Sequence, residues 1–219
     1  MSSTLVILIK VGDPRGGTDQ QCPSPFERLD IRPDHLKPFT QPFAANLHRR
    51  PNTRGTIMST FIPNADLDLV LDRTVSVTPE RVWAAWTEPA LLLQWFTPAP
   101  WKTVGCDLDL RPGGRCITTM ESPEGEQYPN AGCYLEVIPE KLLVFTSVLG
   151  EDFRPTVAMN GAGDLPFTAR IELSPAEGGG TNYRAVAMHA DRAGRDQHEH
   201  MGFHDGWGAA LDQLVALMS

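Results

Sequence analysis

Hydrophobic and polar positions alternate over residues 67–77. Leu67, Leu69 and Leu71 share one face, and the register changes before Val75 and Val77, which is the period of a strand. A helix follows. Thr78 is a capping residue, Pro79 at the first helical position gives up a donor that has no partner there, and Glu80 suits the positive end of the dipole. Val82, Ala85 and Trp86 form its apolar stripe, and Pro89 separates it from a second short helix over residues 90–96. From Val104 the period returns to two. Strands are expected over residues 104–110, 115–122, 132–138, 142–149, 167–174 and 181–190, parted by turns rich in Gly and Pro. In the turn of Arg111, Pro112, Gly113 and Gly114, the glycines allow positive φ.

Toward the end, Met201, His204, Gly208, Leu211, Val215 and Met218 recur alternately at spacings of three and four, the face of one long helix. The order strand, two short helices, about six antiparallel strands, long helix is an α+β pattern. A helix with one apolar stripe must bury it, and the apolar face of the sheet is the available partner. The expected architecture is a curved antiparallel sheet of six to seven strands wrapped round the C-terminal helix, with a cavity where the two diverge.

The patterning begins only near residue 58. Residues 1–57 hold seven of the 19 prolines, and their net charge is +3, against −11 for the remainder; all five Trp and all three Tyr come later. Proline at that density interrupts helices and ladders alike. This Pro-rich segment is expected to be a mostly irregular extension before a domain at 58–219. Two readings of it stand: a basic arm carrying Arg49, Arg50 and Arg54, or upstream sequence with Met58 as the true initiator, which is the expectation adopted.

The net charge of −8 changes the picture of partners. An acidic domain offers no electrostatic footprint for a phosphate backbone or an anionic membrane, so neither nucleic acid nor membrane is expected as a partner. The longest aliphatic run, residues 5–9, is far below the roughly 20 residues of a membrane span, and no secretory signal precedes it. A soluble, cytoplasmic protein is expected. Cys22, Cys106, Cys116 and Cys133 form no CxxC pair and fit the role of small buried hydrophobes better than a disulfide or zinc site.

Five stretches carry a resemblance to a known family. They are the run from Val77 to Pro89, then Gln94, Trp95 and Phe96, then Asp109 to Gly114, then Gly132 to Pro139, and finally Gly202 to Gly208 with Leu211 and Leu214. In this order and spacing, over residues 66–218, the chain resembles bacterial proteins related to the C-terminal domain of the activator of the heat-shock protein 90 ATPase. The resemblance implies the START-like, helix-grip fold, and with it a ligand cavity between sheet and C-terminal helix. Residues 1–57 are too short and too proline-rich to be the separate N-terminal domain of the eukaryotic co-chaperone, so chaperone stimulation is not the function expected. Fold alone does not settle activity.

Candidate chemistry then narrows to a few residues. Trp83, Trp86, Trp95, Phe96, Trp101 and Trp207 are an aromatic concentration that serves either core packing or a cavity wall. The ligand-cavity residues expected are Trp83, Trp95, Phe96, Trp101, Met120, Tyr134, Phe145, His189, His204 and Gly208, with Trp86 and Trp207 assigned to the core. Gly202, Gly206 and Gly208 weaken a helix, and close backbone approach to the sheet or a ligand is the expected compensation. His200 and His204 stand at i, i+4 and Asp205 could add a carboxylate, but the pair is a weak metal signal, and no metal or cofactor is expected. His189, on a strand, has no evident place beside His198, His200 and His204. No GxSxG elbow, P-loop, dinucleotide fingerprint or HExxH motif occurs. His204 and Tyr134 are the weak candidates for acid–base catalysis, since burial moves pKa values.

The function expected is binding of a small hydrophobic or aromatic ligand. The alternatives are an enzyme of the same fold, cyclase- or hydrolase-like, acting on a hydrophobic substrate, and a chaperone-associated interaction module. A homodimer through an exposed strand edge is also compatible with the sequence.

Overall fold

A computed structural model describes residues 61–156 and 165–219. The expectations placed on residues 1–57, on Met58 and on Cys22 lie outside the described residues. The elements in chain order are β1 (Asp68–Val75), α1 (Pro79–Thr87), α2 (Pro89–Trp95), β2 (Lys102–Leu108), β3 (Arg115–Glu121), β4 (Gln127–Ile138) and β5 (Leu142–Thr146). A short pair follows, β6 (Leu149–Gly150) with β7 (Arg154–Pro155), then β8 (Thr168–Pro175), β9 (Thr181–Met188), α3 (Arg192–His200) and α4 (Phe203–Met218).

Seven strands form one antiparallel sheet in the order β1-β9-β8-β5-β4-β3-β2. Neighbours in sequence pair as hairpins except at β5, which pairs with β8 across the separate β6–β7 pair, and at β1, which crosses to β9 in the register Asp68 to Met188 through Val75 to Thr181. This is the mixed α+β architecture expected from the periodicity, and it matches the helix-grip fold that the resemblance implies. One sheet face meets α1, α2 and α4 in a core built on Val82, Trp86, Tyr134, Ile171, Leu211 and Leu214, each at most 5% exposed. Pro79 opens α1 and Pro89 opens α2, as the missing proline donors favour. Thr78 occupies the N-cap of α1 without a side-chain bond to the backbone. Its hydroxyl instead bonds the Glu80 carboxyl, whose pKa is held below its ordinary value.

At the turn before β3, Gly113 has φ +79° and sits against the Phe153 ring, while a Cβ on Gly114 would meet the Asp109 carbonyl oxygen at 2.0 Å. The sequence pattern placed glycine where the backbone requires it. β4 starts at Gln127, five residues before the apolar alternation does, because pairing with β3 (Glu121 to Gln127) continues through polar residues.

The long C-terminal helix is in fact two. Gly202 takes a left-handed conformation (φ +89°) between α3 and α4, which only glycine enters at little cost. Restarting the helix at Phe203 shifts its phase, so the buried stripe is Phe203, Gly206, Ala210, Leu211, Leu214 and Met218. His204 therefore faces outward, and His200 and His204 do not share a helix face. Gly208 is half-buried, and a Cβ added there would meet nothing within 4 Å. The close approach expected of it is absent, because the phase shift turns it away from the packed stripe.

Candidate functional site

Where the sheet diverges from the helices lies a partly open cavity of about 140 Å³. Strand alternation builds one wall. Cys116, Thr118 and Met120 point the same way along β3, and their cross-strand partners on β4 are Gly132, Asn130 and Tyr128. Tyr134 and the β5 residues Leu143 and Phe145 extend that wall. Trp86, Leu92, Trp95 and Phe96 close the side under α1 and α2, while Phe203, Gly206, Trp207 and Ala210 close the side under α4. Apolar walls with few polar groups are the usual make-up of a small-molecule site.

Two ring clusters shape it. Trp86 meets Trp95 edge-on at 4.9 Å between centroids and lies 6.0 Å from Phe145, arrangements that aromatic quadrupoles favour. The Trp95 indole N–H donates to the Ala85 carbonyl oxygen at 3.0 Å. The Trp86 N–H is buried without a partner in hydrogen-bond geometry among the described residues. In the second cluster His198 is ringed by Phe203 at 5.1 Å, Phe167 at 5.3 Å and Trp207 at 6.1 Å.

The polar groups of the wall are few. Tyr134 is 1% exposed, and burial, with help from the Cys116 thiol, pushes its hydroxyl pKa upward. Burial likewise pushes the Cys116 thiol up to about 12, against a smaller opposing effect of its bond to Tyr134. Both groups hold their protons at neutral pH, which is the wrong direction for a general base. Tyr183 is raised in the same way by complete burial.

His198 and His189 form a direct pair: His189 Nε2 and His198 Nδ1 are 2.9 Å apart, and His189 Nδ1 lies 3.0 Å from the Leu67 carbonyl oxygen. Both side chains are more than nine-tenths buried. Desolvation first, and the neighbouring His189 second, lower the His198 pKa to about 3, so its ring stays neutral.

Of the ligand-cavity residues expected from sequence, Trp95, Phe96, Met120, Tyr134 and Phe145 line this cavity. Trp83, Trp101, His189, His204 and Gly208 do not. Trp83 packs against the outside of the core from the far side of α1, and Trp101 stacks on Tyr128 at 5.3 Å beyond the wall. His189 stands behind His198, while His204 and Gly208 are turned away by the phase shift at Gly202. Trp86 and Trp207, assigned to the core, are wall residues as well as packed ones. Sequence reasoning missed Cys116, Thr118, Asn130, Phe167, His198 and Phe203. The alternation on β3 carries the signal for the first two, since they share the phase of Met120. The sequence groups His198 with His200 and His204 and leaves His189 aside, whereas in the structure His198 pairs with His189, the residue after β9, because the chain turns back from β9 into α3. Among the described residues, no three His, Cys, Asp or Glu side chains converge as metal ligands, and no helix is long and apolar enough to cross a membrane.

Residues 76–219 match the family model described as Activator of Hsp90 ATPase homolog 1-like protein. Among solved structures, a protein of Nitrosomonas europaea is 46% identical, with a TM-score of 0.66 and coverage of 71% of this chain and 96% of that one. A protein of Mycobacterium smegmatis is 26% identical, with a TM-score of 0.58 and coverage of 70% and 91%. The AHSA1 protein of Silicibacter pomeroyi is also 26% identical, with a TM-score of 0.50 and coverage of 68% and 95%. Among curated proteins, none matches.

Proposed function

The chain belongs to the Activator of Hsp90 ATPase homolog 1-like family, and from that premise we propose that it binds a small apolar or aromatic molecule between sheet and C-terminal helix. The observation that carries this reading is the cavity of about 140 Å³, walled by aromatic and aliphatic side chains from α1 through α4. A core void of about 150 Å³ lined by such residues stays dry and takes up benzene. The cavity therefore suits a single ring or a short branched chain. Among the described residues no charged side chain lines it, so an ionised ligand would have its charge buried uncompensated, at a cost of several kcal/mol.

A binding experiment tests the reading. Toluene added to the purified protein is expected to change the emission of Trp86, Trp95 and Trp207 saturably at one site, and to raise the melting temperature by mass action. Met120→Trp, which fills the cavity from β3, is expected to abolish both effects. Absence of saturable binding by both toluene and phenol, in protein shown by native mass spectrometry to carry no co-purified molecule, refutes the proposal.

A further inference from the structure

The buried histidine pair places a hydrogen-bond acceptor at the cavity wall, beside the Trp86 N–H and Asn130 Oδ1, which are also buried without partners in hydrogen-bond geometry among the described residues. His189 Nδ1 faces the Leu67 carbonyl oxygen at 3.0 Å, and a carbonyl only accepts, so that nitrogen carries the hydrogen. A neutral imidazole has one N–H, so His189 Nε2 is left with a lone pair. His198 Nδ1, 2.9 Å away, must then be the donor to it. By the same rule His198 Nε2 is the acceptor. The tautomer of His198 is set from outside the cavity, by a backbone carbonyl two bonds upstream.

That last lone pair has no hydrogen-bond partner among the described residues. His198 lines the cavity, while His189, which holds its Nδ1, does not. The aromatic faces of Phe167, Phe203 and Trp207 surround the ring without supplying a donor to Nε2. The opposite tautomer of the pair would set two lone pairs against each other at the Leu67 carbonyl. It is disfavoured for that reason.

We infer that the cavity is selective for molecules carrying a neutral hydroxyl or other hydrogen-bond donor, which His198 Nε2 accepts from an otherwise apolar, ring-sized body. The inference rests on the ligand-binding reading above and adds to it the polarity of the ligand. An acceptor in a largely apolar wall favours ligands that supply a donor, because an analogue lacking one leaves that acceptor unpaired. Histidine here is a positioning and specificity residue; no proton transfer is required of it.

Phenol and toluene are the probes, close in size and differing in the donor. Their dissociation constants are measured for the wild type, for His198→Phe, which keeps an aromatic ring without the acceptor, and for His198→Gln, which restores an acceptor. The expected result is a preference for phenol over toluene that falls about five- to tenfold in His198→Phe and is partly recovered in His198→Gln. Toluene binding by His198→Phe is expected to be retained. If both probes bind and the ratio is the same in wild type and His198→Phe, the acceptor inference is wrong and the cavity reading stands. If neither probe binds the wild type, both fall together. A measurement on the wild type alone covers the case in which His198→Phe does not fold. ¹⁵N spectra at neutral pH are expected to show His198 protonated at Nδ1 and bare at Nε2, and a proton at Nε2 overturns the inference.

Discussion

Lowering the pH is expected to destabilise the protein through His198. In the folded chain its pKa is about 3, lowered first by burial and then by His189, whereas in the unfolded chain it returns to about 6.5. Well above pH 6.5 both states hold the ring neutral, and the linkage vanishes. Below it the unfolded chain takes up a proton that the folded chain refuses, so stability falls as pH falls, down to about pH 3. Integrating that difference from pH 7 to pH 5 gives a loss on the order of 2 kcal/mol, and roughly 5 kcal/mol over the whole window. For a chain of this size, 2 kcal/mol corresponds to about 4–8 °C in melting temperature. Other groups titrate in the same range, so the quantity to measure is a difference. Urea and thermal unfolding of wild type and His198→Phe are compared at pH 7, 6 and 5. The variant is less stable at pH 7, because His189 Nε2 loses its donor, but its stability should decline less steeply, so that the two curves converge toward pH 5. Parallel curves would refute the reasoning: they would mean that the ring titrates alike in folded and unfolded chains.

Two glycines should respond in opposite directions. A Cβ on Gly132 would lie 2.2 Å from the Thr146 carbonyl oxygen, so Gly132→Ala should cost about 3 kcal/mol or more by urea denaturation. Gly208→Ala meets nothing within 4 Å in the middle of α4 and should stabilise by about 1 kcal/mol. Gln213 donates to the Trp95 and Thr97 carbonyl oxygens at 2.8 and 3.0 Å and accepts from the Ala99 N–H at 2.9 Å. Gln213→Leu removes all three bonds and should lower stability by about 1–3 kcal/mol, with faster hydrogen exchange at Ala99 as the local signature. The Cys116 thiol, pushed up to about 12, should alkylate at pH 8 at least a hundredfold more slowly in folded protein than in urea, measured by peptide mass spectrometry.

The strand–helix–helix–strands–helix order was legible because each element repeats its period over several residues. Pro79 and Pro89 mark helix starts, and the paired glycines at 113 and 114 mark a turn. The helix break was harder to read. Glycine inside an apolar period of 3.6 is read as a tolerated weak spot, and only the left-handed geometry of Gly202 turns it into an end. That single residue moved His204 and Gly208 away from the packed face and brought Phe203 into it. The wall residues of β3 follow from alternation once Met120 is placed. The histidine pair does not, because it joins a strand end to a helix whose orientation is set by packing. Pattern locates elements; which side chains meet across them depends on rotations that sequence spacing does not carry.

The pairing of β1 with β9 also has a consequence for the order of assembly. About 120 residues separate Asp68 from its partner Met188. At roughly 5–20 residues per second, a ribosome needs about 6–24 s to make the partner after the first strand has emerged. Until then β1 has no ladder to join, and pairing so distant in sequence is slow to nucleate. The Thr181 hydroxyl bond to the Val77 carbonyl and the His189 bond to the Leu67 carbonyl both span the same seam. The carbonyl that orients the histidine pair is thus delivered by one of the last contacts to close. A nascent chain can build most of its apolar wall from local hairpins, but it acquires a defined hydrogen-bonding polarity only when β1 has found β9.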